Sequence, residues 1–259
     1  MSRFLPVRPR KANSILKGLS ISSGTGPDLL AARILKMCAP SLALPISLLA
    51  RRILEVGAWP KLWKLHWMYT LHKKKSKAKA ENYRGIHLTP QLSKVTERLL
   101  GSLFLPFLEV SGAYGPNQFA YTSGRSIMDA FALNVMSWIL AISRGFRVGL
   151  YCSDVAGAFD RVPSERLLSK LRAKGVHPKI LKLLEDWLAS RCALVIVDGQ
   201  ASKPLTLSNS VFQGTVLGPP LWNVFYEDCN VAIRSQHFKE TVLPTIAIAT
   251  AFLQIPSQT

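Results

Sequence analysis

The chain has 259 residues, of which 48% are apolar, and it carries a formal net charge of +18 at pH 7. This composition can bury a sizeable core, which excludes a wholly disordered chain. The charge favours a polyanion as partner, nucleic acid before an anionic membrane surface, with basicity that serves only solubility as the alternative. The four cysteines include no Cys-x-x-Cys pair, so no zinc knuckle is predicted and a reducing compartment is the simple expectation.

The N-terminal part predicts a tail followed by two helices. Residues 1–26 are basic and rich in serine and glycine, which indicates a flexible lead-in to the folded domain. A helical pattern then runs from Asp28 to about Met37. A second helix fits residues 41–56, with Gly57 as its C-terminal stop.

Residues 61–84 hold eight Lys or Arg against one acid, Glu81. Tryptophans and tyrosines alternate with these cations, a mixture that suits a phosphate-facing surface with stacking platforms. For the cluster Lys73-Lys74-Lys75 alone, a solvated run of charge is a comparable interpretation.

The middle of the chain predicts two helices and a strand. One helix spans about Leu92 to Leu108. Ser126 and Asp129 have the spacing of a capping box that opens the next helix. Residues 146–152 then read as a buried strand. The predicted core side chains of the capped helix are Phe131, Val135, Trp138 and Ile142.

Helices are expected from Ser164, over 178–189, and from Thr215 to about Ile233. Residues 194–197 and 205–212 read as a hairpin, with a turn at Asp198-Gly199. This mixture of helices and a few strands indicates an α+β fold. The uncharged tail after Glu240 is interrupted by prolines and too short to predict a membrane span.

Asp154 is the strongest candidate for chemistry. It follows the apolar run Gly149-Leu150-Tyr151-Cys152, so a strand would hold its carboxylate in place. Phosphoryl transfer needs hard oxygen ligands for Mg²⁺, and a carboxylate supplies them. Taken alone, an aspartate at a strand end is more often a helix cap or a turn residue.

The wider context of Asp154 resembles the reverse transcriptases of non-LTR retrotransposons, and more loosely the group II intron polymerases. The first palm motif is matched by Ser153-Asp154-Val155-Ala156-Gly157-Ala158-Phe159-Asp160. The other matches, in the family's order, are Lys73-Lys74 with Glu81-Asn82-Tyr83-Arg84-Gly85-Ile86, where Gly85 replaces the usual proline, Lys94-Val95-Thr96-Glu97-Arg98, Gln118-Phe119-Ala120-Tyr121 with Gly124-Arg125-Ser126, and Val211-Phe212-Gln213-Gly214-Thr215-Val216-Leu217-Gly218-Pro219.

The resemblance implies the fingers and palm of a right-hand polymerase over residues 27–240, with a small antiparallel palm sheet and no thumb. Asp154 and the Val155 carbonyl would bind Mg²⁺ in a two-metal site. Phe159 would exclude a 2′-hydroxyl, although packing in the core is an equal alternative without the motif. Asp160 is expected to be structural.

The resemblance also implies the partners: an RNA template, a DNA primer and deoxynucleoside triphosphates, with no membrane and an open oligomeric state. Arg84 and Lys73 would clamp the triphosphate. Gln213 and Gly214 would line the nucleotide and template pocket, because glycine allows close backbone approach. The candidate phosphate contacts to nucleic acid are Lys74, Lys75 and Arg125.

One family feature is missing. A hairpin after the Gln-Gly helix should carry aromatic-x-Asp-Asp, but here the chain reads Val242-Leu243-Pro244-Thr245-Ile246, and no acid follows Glu240. Tyr226-Glu227-Asp228 is no substitute, because it falls in the predicted helix. The metal site is therefore expected to be incomplete, and we interpret the uncharged tail 241–259 as out-of-frame, mis-spliced or decayed sequence.

Three functions remain open at this point. The first is a reverse transcriptase-like domain whose ancestral reaction adds deoxynucleotides to a primer 3′-OH, and which is inactive as this isolated chain. The second is a non-catalytic RNA- or DNA-binding protein with a maturase-like polymerase fold. The third is an unrelated basic interaction protein. An intracellular, nuclear location is suggested by the ancestry alone.

Overall fold

The computed structural model describes residues 6–208, 210–235, 239–243 and 246–254. Its α-helices are α1 Pro9–Lys17, α2 Ala32–Met37, α3 Ala39–Val56, α4 Gln91–Gly101, α5 Leu105–Val110, α6 Ile127–Ser143, α7 Ser164–Ala173, α8 Pro178–Leu188 and α9 Gly218–Ser235. Its β-strands are β1 Leu65–His72, β2 Tyr83–Leu88, β3 Phe146–Asp154, β4 Arg191–Val197, β5 Gln200–Ala201, β6 Leu205–Leu207, β7 Lys239–Val242 and β8 Ile246–Gln254. This mixture confirms the predicted α+β class.

The chain divides into two compact units, each made of two separate stretches of sequence. The first unit contains Met1–Leu108 and Phe159–Gly218, and the second contains Glu109–Ala158 and Pro219–Thr259. Each unit therefore needs contacts between residues that are far apart in the chain.

Helix α1 lies in the segment expected to be a flexible lead-in. Pro9 occupies its first turn, where the missing N–H has no intrahelical partner to lose. Ala12 and Leu16 are fully buried on the side that packs against α3. Apolar residues that are three or four positions apart form one face of a helix, even when the other faces are basic.

Two helix boundaries differ from the prediction. Helix α2 begins at Ala32 rather than near Asp28, because the Asp28 carboxylate accepts the backbone N–H of Gln91 at 3.1 Å and so caps α4 instead. The single helix expected over 92–108 is split into α4 and α5. Pro106 lies in the first turn of α5, and a continuous helix there would lose a hydrogen bond and clash with the preceding turn.

The first unit contains a mixed sheet in the order β2-β1-β4-β5, with β6 also paired to β4. Strands β1 and β4 are parallel, and the other pairs are antiparallel. The predicted turn at Asp198-Gly199 is confirmed, with φ of 49° and 77° at its two residues. The strand expected over 205–212 is limited to β6. Strand β5 pairs with the end of β4, and β6 pairs with its beginning.

In the second unit, α6 begins with the predicted capping box. The Ser126 hydroxyl accepts the N–H of Asp129, and the Asp129 carboxylate accepts the N–H of Ser126. The predicted burial is wrong for Phe131 and Ile142, whose side chains are 60% and 62% exposed.

The face of α6 that is buried carries small residues instead. Ala130, Asn134 and Ala141 are buried, and Val135 and Trp138 are half-buried. Helix α6 packs against β3. Because α6 is apolar on every side, its periodicity could not show which face is covered.

A three-stranded antiparallel sheet in the order β3-β8-β7 completes the second unit. Strand β3 pairs with β8 along all nine residues, from Phe146 opposite Gln254 to Asp154 opposite Ile246. The strand is where the sequence predicted it, but its burial is not: Leu150 and Tyr151 are 50% and 68% exposed. Among the described helices, none is long and apolar enough to cross a membrane.

Replacing Ser126 by alanine should lower the free energy of unfolding by about 1 kcal/mol, because the N–H of Asp129 loses its acceptor at the start of α6. Urea denaturation measures this. The matched control Ser123→Ala removes an exposed hydroxyl three residues earlier and should change the free energy by less than about 0.5 kcal/mol. Equal losses in the two variants would contradict the capping role.

Candidate nucleotide and nucleic-acid site

The Gln-Gly loop, residues 211–217, lies directly on strand β2. The N–H of His87 donates to the carbonyl oxygen of Gln213 at 3.3 Å. Gly214 has a φ of +101°, and a Cβ placed there would collide with the carbonyl oxygen of His87. Both the φ and the close approach require glycine. The Gln213 side chain is half-buried and Gly214 is exposed.

Phe159 and Asp160 border the same loop. The N–H of Val211 donates to the Phe159 carbonyl at 3.0 Å, and the Ser210 hydroxyl donates to the Asp160 carboxylate at 3.5 Å. The Phe159 side chain is half-buried. Asp160 therefore has a structural contact of the kind expected for it, and the first unit brings Phe159, Gln213 and Gly214 to one region.

The end of the loop is held by Glu97 of α4, whose side chain is fully buried. Its Oε2 accepts the N–H of Val216 at 2.8 Å and that of Leu217 at 3.2 Å. Its Oε1 accepts the Ser93 hydroxyl at 3.2 Å. Burial raises the pKa of Glu97, and the charge of Arg191 together with these hydrogen bonds opposes that rise.

Arg191, the first residue of β4, is the buried cation whose charge acts on Glu97. It has no exposed surface. Its Nε donates to the Trp187 carbonyl at 2.6 Å, and its guanidinium lies 4.6 Å and 4.9 Å from the ring centres of Trp187 and Phe212. Burial lowers the pKa of Arg191 to about 10, with Glu97 acting in the opposite direction, so the side chain stays charged at neutral pH.

Two buried histidines connect Arg191 to the loop. Arg191 Nη1 lies 2.7 Å from His66 Nε2, and His66 Nδ1 lies 3.3 Å from His87 Nδ1. A guanidinium can only donate, so His66 Nε2 must accept and its Nδ1 carries the proton. Burial lowers the pKa of His66 to about 2, and the charge of Arg191 adds to this, so His66 is neutral. Burial also lowers the pKa of His87.

The basic hairpin, residues 65–88, presents the other predicted contacts of the first unit. Lys73, Lys74, Lys75 and Arg84 are exposed. The N–H of Lys73 donates to a carbonyl across the hairpin at 2.8 Å, and Arg84 lies opposite Leu71 in the β1–β2 register.

The loop of the basic hairpin has a defined conformation. Asn82 Nδ2 donates to the Ser76 carbonyl at 2.7 Å, and the Tyr83 hydroxyl donates to the Lys77 carbonyl at 2.9 Å. These contacts fix the backbone from which the lysine side chains extend.

Asp154 and Val155 belong to the second unit. Asp154 is the last residue of β3 and is exposed, and the residue opposite it in β8 is Ile246. Burial raises the pKa of Tyr226 in α9, and the charges of Cys229 and Asp154 add to that rise. Within the described residues, no group of three or more His, Cys, Asp or Glu could hold a metal ion.

Tyr226-Glu227-Asp228 lies within helix α9, as the sequence predicted. Glu227 is buried and its carboxylate lies against Gly115, where a Cβ would collide with it. Its Oε2 also accepts the Asn230 amide at 3.2 Å. Its position is explained by packing.

Arg125, predicted to contact nucleic acid, is engaged within its own unit. Its Nη1 donates to the carbonyl oxygens of Pro116 and Gln118, the latter at 3.0 Å. Its guanidinium lies 5.4 Å from the Phe119 ring centre. These contacts give Arg125 a structural role, and any phosphate contact would have to use its other nitrogens.

The buried cluster of Glu97, Arg191, His66 and His87 was missed from the sequence as a unit. Glu97 was noted only as part of a motif match. An arginine at the head of an apolar strand is typical of an exposed strand end, and no spacing relates His66 to His87. The parallel pairing of β1 with β4 brings His66 beside Arg191, and the antiparallel pairing of β1 with β2 brings His87 to the same place.

Comparison with known proteins then decides the family. The model of the family described as reverse transcriptase (RNA-dependent DNA polymerase) matches residues 71–250. The chain belongs to the reverse transcriptase family. Its relatives are of the non-LTR retrotransposon type, which confirms the resemblance drawn from the motifs.

Two of these relatives come from Drosophila melanogaster. The chain is 30% identical over 259 residues to the probable RNA-directed DNA polymerase from transposon BS, covering 96% of this chain and 28% of that protein. It is 28% identical over 252 residues to the RNA-directed DNA polymerase from mobile element jockey, covering 94% of this chain and 27% of that protein. This reverse transcriptase-like chain thus spans little more than a quarter of their length.

Among solved structures, apo telomerase from Candida tropicalis, truncated from the C-terminal domain, matches with a TM-score of 0.50. The sequence identity is 13%, and the match covers 81% of this chain and 49% of that one. At this identity the likeness shows a common reverse transcriptase fold and nothing about substrate.

The first test of the buried cluster is Glu97→Gln. The amide keeps the size of the side chain but removes the charge that accepts the N–H groups of Val216 and Leu217. Because hydrogen bonds to a charged acceptor are stronger than those to a neutral one, the free energy of unfolding should fall by about 2 kcal/mol. Urea denaturation measures the loss. In the control Glu55→Gln, an exposed carboxylate paired with Arg52 is removed, and the change should stay below about 0.5 kcal/mol. A loss as small at Glu97 would contradict the role assigned to it.

The second test is the pH dependence of His66→Gln. The unfolded chain protonates His66 below its ordinary pKa of 6.5, whereas the folded chain does not until about pH 2. The unfolded state therefore binds more protons, and stability falls as pH falls from 6.5. Between pH 6 and 5, the slope of the unfolding free energy against pH should be smaller in the variant by about 1.4 kcal/mol per pH unit. An unchanged slope would show that His66 titrates in the folded chain.

Proposed function

We propose that this chain is a nucleic-acid-binding module of reverse transcriptase ancestry that holds a strand without extending a primer by itself. The proposal combines two properties of the same fold. The Gln-Gly loop and the basic hairpin are built and ordered in the first unit. The aspartate pair expected in the hairpin of the second unit is missing from the sequence, and no group of three or more His, Cys, Asp or Glu among the described residues could hold a metal ion.

The observation that carries the proposal is the register between β3 and β8. Strands β7 and β8 form a hairpin after α9, the position where the family places its aspartate pair, and β8 begins at Ile246 opposite Asp154. An alkyl side chain cannot bind Mg²⁺, which prefers oxygen ligands. The described residues therefore do not fit a two-metal centre, and we derive no reaction step through metal.

The partner we propose is RNA, with a DNA primer and deoxynucleoside triphosphates as the finer expectation from ancestry. The net charge of +18 supports a polyanion. The exposed cations Lys73, Lys74 and Lys75 project from the loop of the basic hairpin, and Arg84 projects from strand β2. The hydrogen bonds of this backbone lower the entropic cost of ordering the four side chains on phosphates. Phe159, Gln213 and Gly214 would border the bound nucleotide.

The test of this binding role is the triple variant Lys73→Glu, Lys74→Glu and Lys75→Glu. With a single-stranded RNA, the plot of log K for binding against log salt should become less steep by about 2, because each phosphate contact on a single strand contributes about 0.7 to the steepness. Fluorescence anisotropy at several salt concentrations measures the slope.

The matched control reverses the same number of charges at Lys11, Lys17 and Arg33, exposed residues of α1 and α2. Its effect on the slope should be the smaller one. Primer extension with Mg²⁺ and deoxynucleotides should give no product from the unchanged chain. Extension that disappears in Asp154→Ala would overturn the non-catalytic assignment, and equal slopes for the two triple variants would overturn the binding surface.

A further inference from the structure

A second basic segment, which the motif matches do not include, lies in the first unit. Between residues 161 and 182 the chain carries seven Lys or Arg and one acid, Glu165. Helices α7 and α8, which pack against each other, contain most of this segment. The basic hairpin and the Gln-Gly loop are built from other elements.

The two helices enclose a groove of about 840 Å³. We call it the α7–α8 groove. Leu168, Val176 and Leu181 form apolar parts of its lining, and Val176 and Leu181 are buried at 4% and 8% exposure. A concave site of this size with an apolar floor can receive a flat organic group such as a nucleobase.

Cations stand at the edge of the α7–α8 groove. Arg172 and Lys182 line it and are exposed. The methylenes of Lys182 lie 2.7 Å from where a Cβ of Gly57 would stand, so the end of α3 supports the lysine stem. Glu185 is the acid in the lining.

His177 completes one wall in a fixed orientation. Its Nδ1 accepts the N–H of Lys179 at 3.1 Å, which caps α8. The wall is therefore part of the folded framework, and a ligand would not have to order it.

We propose that the α7–α8 groove binds single-stranded nucleic acid, with phosphates on Arg172 and Lys182 and a base on the apolar floor. Charge complementarity selects a polyanion, and the buried floor favours a strand with unstacked bases over a duplex, whose bases are already paired. This inference rests on the proposed function for its class of partner, but it assigns a different surface.

Lysine protection tests both surfaces in one experiment. The full chain is treated with a water-soluble acylating reagent, with and without a single-stranded oligouridine RNA, and modification at each lysine is read by mass spectrometry. Bound RNA should reduce modification of Lys182 at least threefold. Protection of Lys73–Lys75 without protection of Lys182 would overturn the groove alone, and protection of none of them would overturn the proposed function as well.

Charge variants give a second test, because one is expected to weaken RNA binding and another to strengthen it. The double variant Arg172→Glu and Lys182→Glu should weaken RNA binding roughly tenfold and lower the salt slope by about 1.4. Glu185→Gln should strengthen binding, because it removes a like charge beside the bound phosphates. The matched control is Lys11→Glu with Arg33→Glu, and thermal melting by circular dichroism checks that each variant is folded.

An acidic protein segment is the competing occupant. A poly-glutamate peptide serves as its probe in the same protection assay. Protection of Lys182 by the peptide and not by RNA would overturn the proposal in favour of a protein partner. Tighter binding of duplex than of single-stranded RNA would overturn it in favour of a duplex site. Unchanged affinity in the double variant and in Glu185→Gln would show an ordinary solvated face.

Discussion

The first unit depends on the carboxylate of Glu97. The N–H groups of Val216 and Leu217 lie at the end of the Gln-Gly loop, and buried donors without acceptors are costly. Glu97 supplies the acceptor; burial raises its pKa, and the charge of the buried Arg191 opposes that rise. Arg191 in turn needs acceptors of its own, and neutral His66 supplies one for its Nη1. The Gln-Gly loop is therefore positioned by elements from three separate parts of the chain.

The second unit has a strand pairing that does not depend on metal-binding side chains. Pairing between β3 and β8 uses backbone groups only, so any residue that tolerates an extended conformation maintains it. Metal binding, in contrast, depends on the side chains at a few strand ends. A family fold and a family reaction can therefore separate at Asp154 and Ile246 without a change in topology.

Sequence reasoning succeeded where a local interaction decides the structure. The capping box at Ser126, the stop at Gly57 and the turn at Asp198-Gly199 each involve a few neighbouring residues. It failed where distant packing decides. Phe131 on the all-apolar helix α6 is exposed although its spacing predicted a core position. For the site, the motif matches located the loop and the hairpin, but the cluster around Arg191 arises from strand pairing that no local pattern encodes.

The isoleucine opposite Asp154 has a consequence for any attempt to build a metal site there. Carboxylates clustered at a strand end repel one another and favour strand conformation weakly, whereas isoleucine is a strong strand former. An acidic side chain in place of Ile246 would therefore add electrostatic repulsion beside Asp154 at the start of β8. A variant with carboxylates at both positions would lose folding stability in return for metal ligands, a trade-off between stability and activity.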